Sequence, residues 1–355
     1  MIRLFKSALA RAFSYALVAV LAAAILLLAL RLAVPYADVL RGQVEALVAE
    51  RLGLGVGLGA MEVHLRGWRP ELQFRDARIL DPASGATQLA MDRLALDLDV
   101  LASLRARTPK LDTVTLIGAR LLVRRLADGR LLIAGIGAGD RAGAPDLAFF
   151  FHQGSFRLED GELTWVDEGA GSKPLVLSGV SATLLNVGDR HRLGVRASGL
   201  DGKGVDLRVV TDLAGEAGAP GDWGGRAYLR FRGSDLTPVL RGALPEGLRL
   251  GSEGVRLDAW ARLERGNVED ARARLDVAGL ELASAPPGQP QERVQLHELG
   301  ATLDWQRLGG GHAWRLDLSD LTLMHQGRAW PATELALVWS PEGAGASQLR
   351  GGLRR

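Results

Sequence analysis

The chain has 355 residues, of which 47% are apolar, 5% aromatic and 45 are glycine; it can bury a core in one elongated domain or two ordinary ones, but with many turns, which leans towards β structure. The net charge is +2 and the charges are scattered, which excludes a basic stripe that follows a phosphate backbone, so no nucleic-acid partner is expected. Cysteine is absent, which excludes disulfides and thiolate metal sites and leaves the redox compartment open.

Between Arg11 and Arg31 no charged residue occurs. As a helix rising 1.5 Å per residue this run spans about 30 Å, the thickness of a bilayer core. A secretory signal has a shorter apolar region and a small-x-small cleavage site, whereas "RLAVPYA" offers Pro35 and Tyr36. The sequence therefore predicts a retained single-pass anchor over 12–31 in preference to a cleaved signal. Arg3, Lys6 and Arg11 place a cytoplasmic tail at 1–11, although Arg31 and Arg41 on the far side make the asymmetry modest. A large cysteine-free region behind one anchor suits a bacterial inner membrane with the bulk of the chain in the periplasm.

Over 36–52, Leu40, Val44, Leu47, Val48 and Leu52 recur at three- and four-residue steps, while Arg41, Gln43, Glu45 and Glu50 take other faces. This predicts an amphipathic helix closed by Gly53. It either plugs the end of a β structure, the preferred reading, or lies on the membrane surface.

From 53 to 355 short alternating runs are separated by Gly, Asp and Pro, predicting a mainly β, elongated domain. Leu94, Leu96, Leu98 and Val100 share one strand face, with Asp97 and Asp99 on the other. Further one-sided runs pair Leu229 with Phe231, align Val255, Leu257, Ala259 and Leu263, and pair Leu275 with Val277, Leu316 with Leu318, and Leu335 with Leu337. The only helical interruption is "DVLASLRAR" at 99–107, with room for two turns. A loose motif of a polar residue, Asp or Gly, a small or apolar residue and then an apolar strand recurs at Asp76, Gly118, Asp160, Gly179 and Asp320. Its period fails after three copies, which makes it a weak repeat but a fair sign of one extended sheet. Turns are expected at Asp128-Gly129, Asp160-Gly161 and Asp201-Gly202, where positive φ is easy. Roughly 18 strands spaced by about 4.8 Å give a sheet some 85 Å long.

Catalytic signatures are missing. His64, His152, His191, His297, His312 and His325 are scattered without HExxH spacing and read as single surface or strand residues. "GLGVGLGA" has no following Lys-Ser/Thr and reads as a flexible entry to the first strand, not a phosphate loop. Asp97 and Asp99 resemble a DxD metal pair, but alternation points both to solvent. There is no G-x-S-x-G elbow. No catalytic, metal or cofactor site is therefore expected.

An anchor, a helix and then "LGLGVGLGAMEVHLRGWRPELQFRDARILDP", followed by "LALDLDVLASLRARTPKLDTVTLIGARLLVRRLADGRLLI" and "MHQGRAWPATELALVWSPE", resemble the AsmA-like family, most of all the amino-terminal region of its YhdP-type members. That resemblance implies an inner-membrane-anchored periplasmic protein whose long curved antiparallel β-sheet forms a hydrophobic groove carrying phospholipid towards the outer membrane. The sixteen apolar residues named above, from Leu94 to Leu337, are the candidate groove lining. This chain is several times shorter than such proteins, so it would supply the membrane-proximal part of the path or need protein partners to complete it. One-sided strands equally make an ordinary sandwich core. The alternative function is a membrane-tethered scaffold for outer-membrane assembly that binds proteins through its sheet edges or outer face.

Overall fold

The computed structural model describes Gly42, Glu45, 55–66, 69–80, 87–107, 110–126, 131–133, 136–137, 154–169, 173–216, 219, 222–235, 248–284, 292–308, 313–325, 327–331, 333–342 and 346–354. The predicted anchor at 12–31 lies outside these residues, and among the described residues no helix is long and apolar enough to cross a membrane. Of the predicted helix at 36–52 only Gly42 and Glu45 are described; both are helical, and the Leu58 amide donates to Glu45 Oε1 at 2.8 Å.

The strands are β1 (Gly55–Gly57), β2 (Met61–Arg66), β3 (Arg69–Leu80), β4 (Thr87–Leu98), β5 (Leu111–Ile117), β6 (Arg120–Arg125), β7 (Leu131–Ile133), β8 (Ile136–Gly137), β9 (Ser155–Asp167), β10 (Leu175–Val187), β11 (Arg190–Leu200), β12 (Lys203–Ala214), β13 (Gly224–Gly233), β14 (Leu248–Gly251), β15 (Gly254–Glu264), β16 (Asn267–Ser284), β17 (Glu292–Leu308), β18 (Ala313–His325), β19 (Arg328–Ala329), β20 (Thr333–Glu342) and β21 (Ala346–Arg354). One helix, α1 (Val100–Ala106), joins β4 to β5. The glycine-rich entry is thus a strand in its own right, paired with Arg78–Leu80 of β3.

All strands belong to one sheet, and consecutive strands mostly pair as antiparallel neighbours. Two pairings are parallel: β5 and β6 lie end to end along β9. The sheet is therefore mixed rather than antiparallel throughout, because the chain leaves β6 through β7 and β8 before it returns at β9. Likewise β1 and β2 share β3 as a partner, and β14 and β15 share β16. Among the described residues these end-to-end pieces reduce the sheet to fifteen successive strand positions from β1/β2 to β21, whose fourteen intervals of about 4.8 Å cover about 67 Å.

The recurring Asp/Gly motif has a common conformation. Asp76, Asp160 and Asp320 have φ of 50°, 50° and 52°, and Gly118 and Gly179 have 66° and 59°. Each lies inside a strand or between two collinear ones, where a left-handed residue breaks the in-out alternation of side chains without ending the pairing. Its effect appears in the burial pattern: Phe74 is followed by Ala77, Leu158 by Gly161, and Val180 by Ala182 after Leu177, so the apolar phase changes between even and odd numbers. Both phases pack into one apolar cluster. Without that break, the side chains beyond it would turn to the opposite face. The expected turn at Asp160-Gly161 is such a break in the middle of β9, whereas Asp201-Gly202 is a true turn between β11 and β12.

Every extensive contact between described elements joins hydrogen-bonded neighbours. The described strands therefore follow one another as neighbours in a single sheet. What core exists is made laterally, along the sheet, in two clusters: one around Phe74, Met91, Leu158 and Val180, the other around Phe231, Val255 and Val277.

Candidate functional site

The register turns the alternation of single strands into rows. One row runs Met61, Phe74, Leu94, Leu116, Leu158, Ala182, Val195, Val209, Leu229, Ala259, Ala273, Leu303, Leu318 and Leu335. Beside it runs Val63, Leu72, Leu96, Val114, Phe156, Leu184, Leu193, Thr211, Ala227, Ala261, Ala271, Trp305, Leu316 and Leu337. Over fourteen strand positions these rows contain no charge, and Thr211 is their one polar side chain. A third row, Ala197, Leu207, Phe231, Leu257, Leu275 and Ala301, widens the band in its second half, followed by Val255, Val277 and Leu299.

Fifteen of the sixteen residues expected to line a groove lie on strands with this register. Leu98 meets Leu111 at the end of β4, and Leu263 meets Gly225 on β13 and Val268 on β16. Val100 departs from the expectation. The strand ends at Leu98, and Val100 is the first residue of α1, 43% exposed. Asp99 explains the break: its side chain accepts from the Ala102 amide at 2.8 Å and caps the helix. This is also why Asp97 and Asp99 are not a pair of parallel solvent-facing carboxylates.

Phe74, Leu158, Phe231, Val255 and Val277 are among the buried members of the rows, Phe74 completely, while most other members are half-buried. The buried members fall in the two apolar clusters, and the half-buried ones extend the band between and beyond them. The alanines carry a signal that alternation of large residues missed. Ala227, Ala261 and Ala271 face one another across β13, β15 and β16, next to Ala259 and Ala273. They form a low floor between the bulkier ends of the rows. Their trace in the sequence is the Ala-Arg and Ala-Asp alternation of "DAWARLE" and "EDARARLD".

One margin of the band is closed by a polar-aromatic cluster. His191 is 1% exposed and stacks on Trp223 with ring centroids 4.2 Å apart. Its Nδ1 lies 2.8 Å from Asn186 Oδ1 and its Nε2 3.2 Å from the Gly215 carbonyl oxygen, while Trp223 Nε1 donates to the Glu216 carbonyl at 2.7 Å. His191 is thus a strand residue, as one of the two expected readings has it, but buried and with partners on both ring nitrogens. His64 and His297 are exposed, and His152 and His312 lie outside the described residues. Among the described residues no three His, Asp or Glu are grouped to hold a metal.

The opposite face is a lattice of arginine and aspartate. Arg190 binds Asp212 through two bonds of 2.7 Å, which hold the Asp212 carboxyl below its ordinary range. Arg315 does the same to Asp317. Such exposed pairs add little stability, but they keep one face wet and leave the apolar one as the surface without water-seeking groups.

The Escherichia coli protein named Intermembrane phospholipid transporter YhdP is 24% identical over 327 residues, covering 91% of this chain and 24% of its own length. The chain thus spans about a quarter of that relative. No solved structure matches. The family model described as YhdP protein matches residues 1–354, and the chain belongs to the YhdP family.

Proposed function

We propose that this chain carries phospholipid along its apolar face, as the membrane-proximal section of a path from the inner to the outer membrane, held at the inner membrane by residues 12–31. The observation that carries the reading is the pair of uncharged rows that run side by side across fourteen strand positions. Moving an acyl chain through water costs about 0.8 kcal/mol per exposed CH₂, so a sixteen-carbon tail faces roughly 12 kcal/mol. A continuous apolar track removes most of that barrier, while a headgroup at the rim stays hydrated. The relative's printed name supports the cargo. Nothing in the reading requires a reaction: tail burial is reversible, and the side chains on the rows have no group to transfer.

The test is site-specific photo-crosslinking followed by lipid mass spectrometry. A crosslinker at Leu257, on the apolar face, is expected to capture phospholipid. At Arg256, one residue away on the opposite face, it is expected to capture none. No lipid at Leu257, or equal amounts at both positions, overturns the proposal.

A further inference from the structure

The face opposite the apolar rows carries a second feature. Arg196 on β11, Arg208 on β12 and Arg230 on β13 stand directly opposite one another in register. Like charges at facing positions are destabilising, and here three follow in succession. Asp258 on β15 comes next, then Arg274 on β16. Asp258 is already engaged: it accepts from Tyr228 Oη at 2.6 Å and pairs with Arg230 and Arg232. Arg196, Arg208 and Arg274 have no carboxylate partner among the described residues.

The adjacent row on that face is apolar where the rest of the face is ionic: Val210, Tyr228 and Trp260. Val210 and Trp260 are each 42% exposed. The Tyr228 and Trp260 rings lie 5.5 Å apart, and the Arg274 guanidinium sits 6.0 Å from the Trp260 ring centre. The Trp indole is thereby held in place from both sides while its surface stays open. Exposed Trp, Tyr and Arg held together are the residue types that dominate protein interfaces, and the surplus of cations selects the sign of the partner.

We propose that this patch, in the middle of the polar face, docks an acidic segment of a partner protein: carboxylates meet Arg196, Arg208 and Arg274, and an apolar side chain packs on Trp260. The site is independent of the lipid reading, since it lies on the other side of the sheet. It also accounts for a row of facing arginines that folding alone disfavours, because a site can retain charges that cost stability.

The probe is a fluorescein-labelled peptide alternating glutamate with leucine and containing one phenylalanine, titrated by anisotropy against the full chain in neutral detergent. A lysine-for-glutamate peptide serves as control, and phosphatidylglycerol vesicles as competitor. Saturable binding of the acidic peptide alone is expected, weakened about tenfold or more in Arg208→Glu and in Trp260→Ala. Arg208→Glu separates function from folding, since removing a cation from between two others should leave the melting temperature equal or higher while binding is lost. If Trp260→Ala fails to fold, the arginine variant decides alone. No saturable binding below about 1 mM, equal binding of the lysine peptide, or insensitivity to Arg208→Glu overturns the proposal. Displacement by the vesicles, with direct vesicle binding that Arg208→Glu abolishes, also overturns it in favour of an anionic membrane surface.

Discussion

Two single residues show how this sheet joins its opposite faces to its stability. Burial raises the Asp258 carboxyl, but bonds from Tyr228, Arg232 and Arg230 outweigh it and hold the group below its ordinary range. A depressed carboxylate stabilises the fold above its unfolded pKa of about 3.9 and loses that contribution as pH falls through the lower folded value. Asp258→Asn should therefore cost about 1 kcal/mol near neutral pH, a figure kept small because the site is partly solvated. The gap between variant and parent should shrink as denaturation is repeated from pH 5 down to pH 2; a constant gap would mean the loss comes from geometry, not charge. On the other face, His191 fills the space against Trp223. His191→Ala should lower the stability by about 2–4 kcal/mol in urea denaturation, through the cavity and the lost stacking.

At the scale of elements, the left-handed residues decide where side chains point. An L-residue in that conformation costs roughly 1–2 kcal/mol, least for Gly and for Asp, whose side chain bonds locally. Asp160→Gly should thus match or exceed the parent in thermal stability, while Asp160→Val should lose about 1–2 kcal/mol. The same change at Asp206, an exposed strand position, should be neutral or favourable, because valine suits extended backbone. Equal responses at the two positions would remove the conformational explanation.

The same residues mark what could be read in the sequence. Alternation from Leu94 to Leu98, or from Val255 to Ala259, was enough to assign strand faces, because no such break interrupts them. The motif at Asp76, Asp160 and Asp320 was visible, but its meaning was not: periodicity sees a broken alternation, and only φ shows that the break preserves the face. Gly279, with φ of 58°, belongs to the same set, and it follows an apolar residue, Ala278, as Gly118 follows Ile117. The alanine floor escaped for a different reason, since Ala261 and Ala271 become a surface only when β15 and β16 are set in register. Val100 was misplaced because a helix cap at Asp99 continues the polar-apolar alternation for one residue beyond the strand.

For the molecule as a whole, what matters is that the apolar rows are serial. A lipid moving from the β1/β2 edge to β21 must cross every strand position, whereas a set of independent binding sites has no such requirement. The narrowest place to test this is the alanine floor, where Ala261 and Ala271 face each other and a large side chain occupies space above the sheet without replacing any buried contact beneath it. The double variant Ala261→Trp, Ala271→Trp should keep the melting temperature within a few degrees, because bulky apolar residues suit a strand face open on that side. Its copurifying phospholipid should fall only in proportion to the few positions blocked. Transfer of labelled phospholipid between donor and acceptor vesicles joined by the chain should instead fall to background. The two readouts diverge only if the track is continuous: an equal, partial loss in both would mean separate sites, and unchanged transfer would place the lipid elsewhere on the protein.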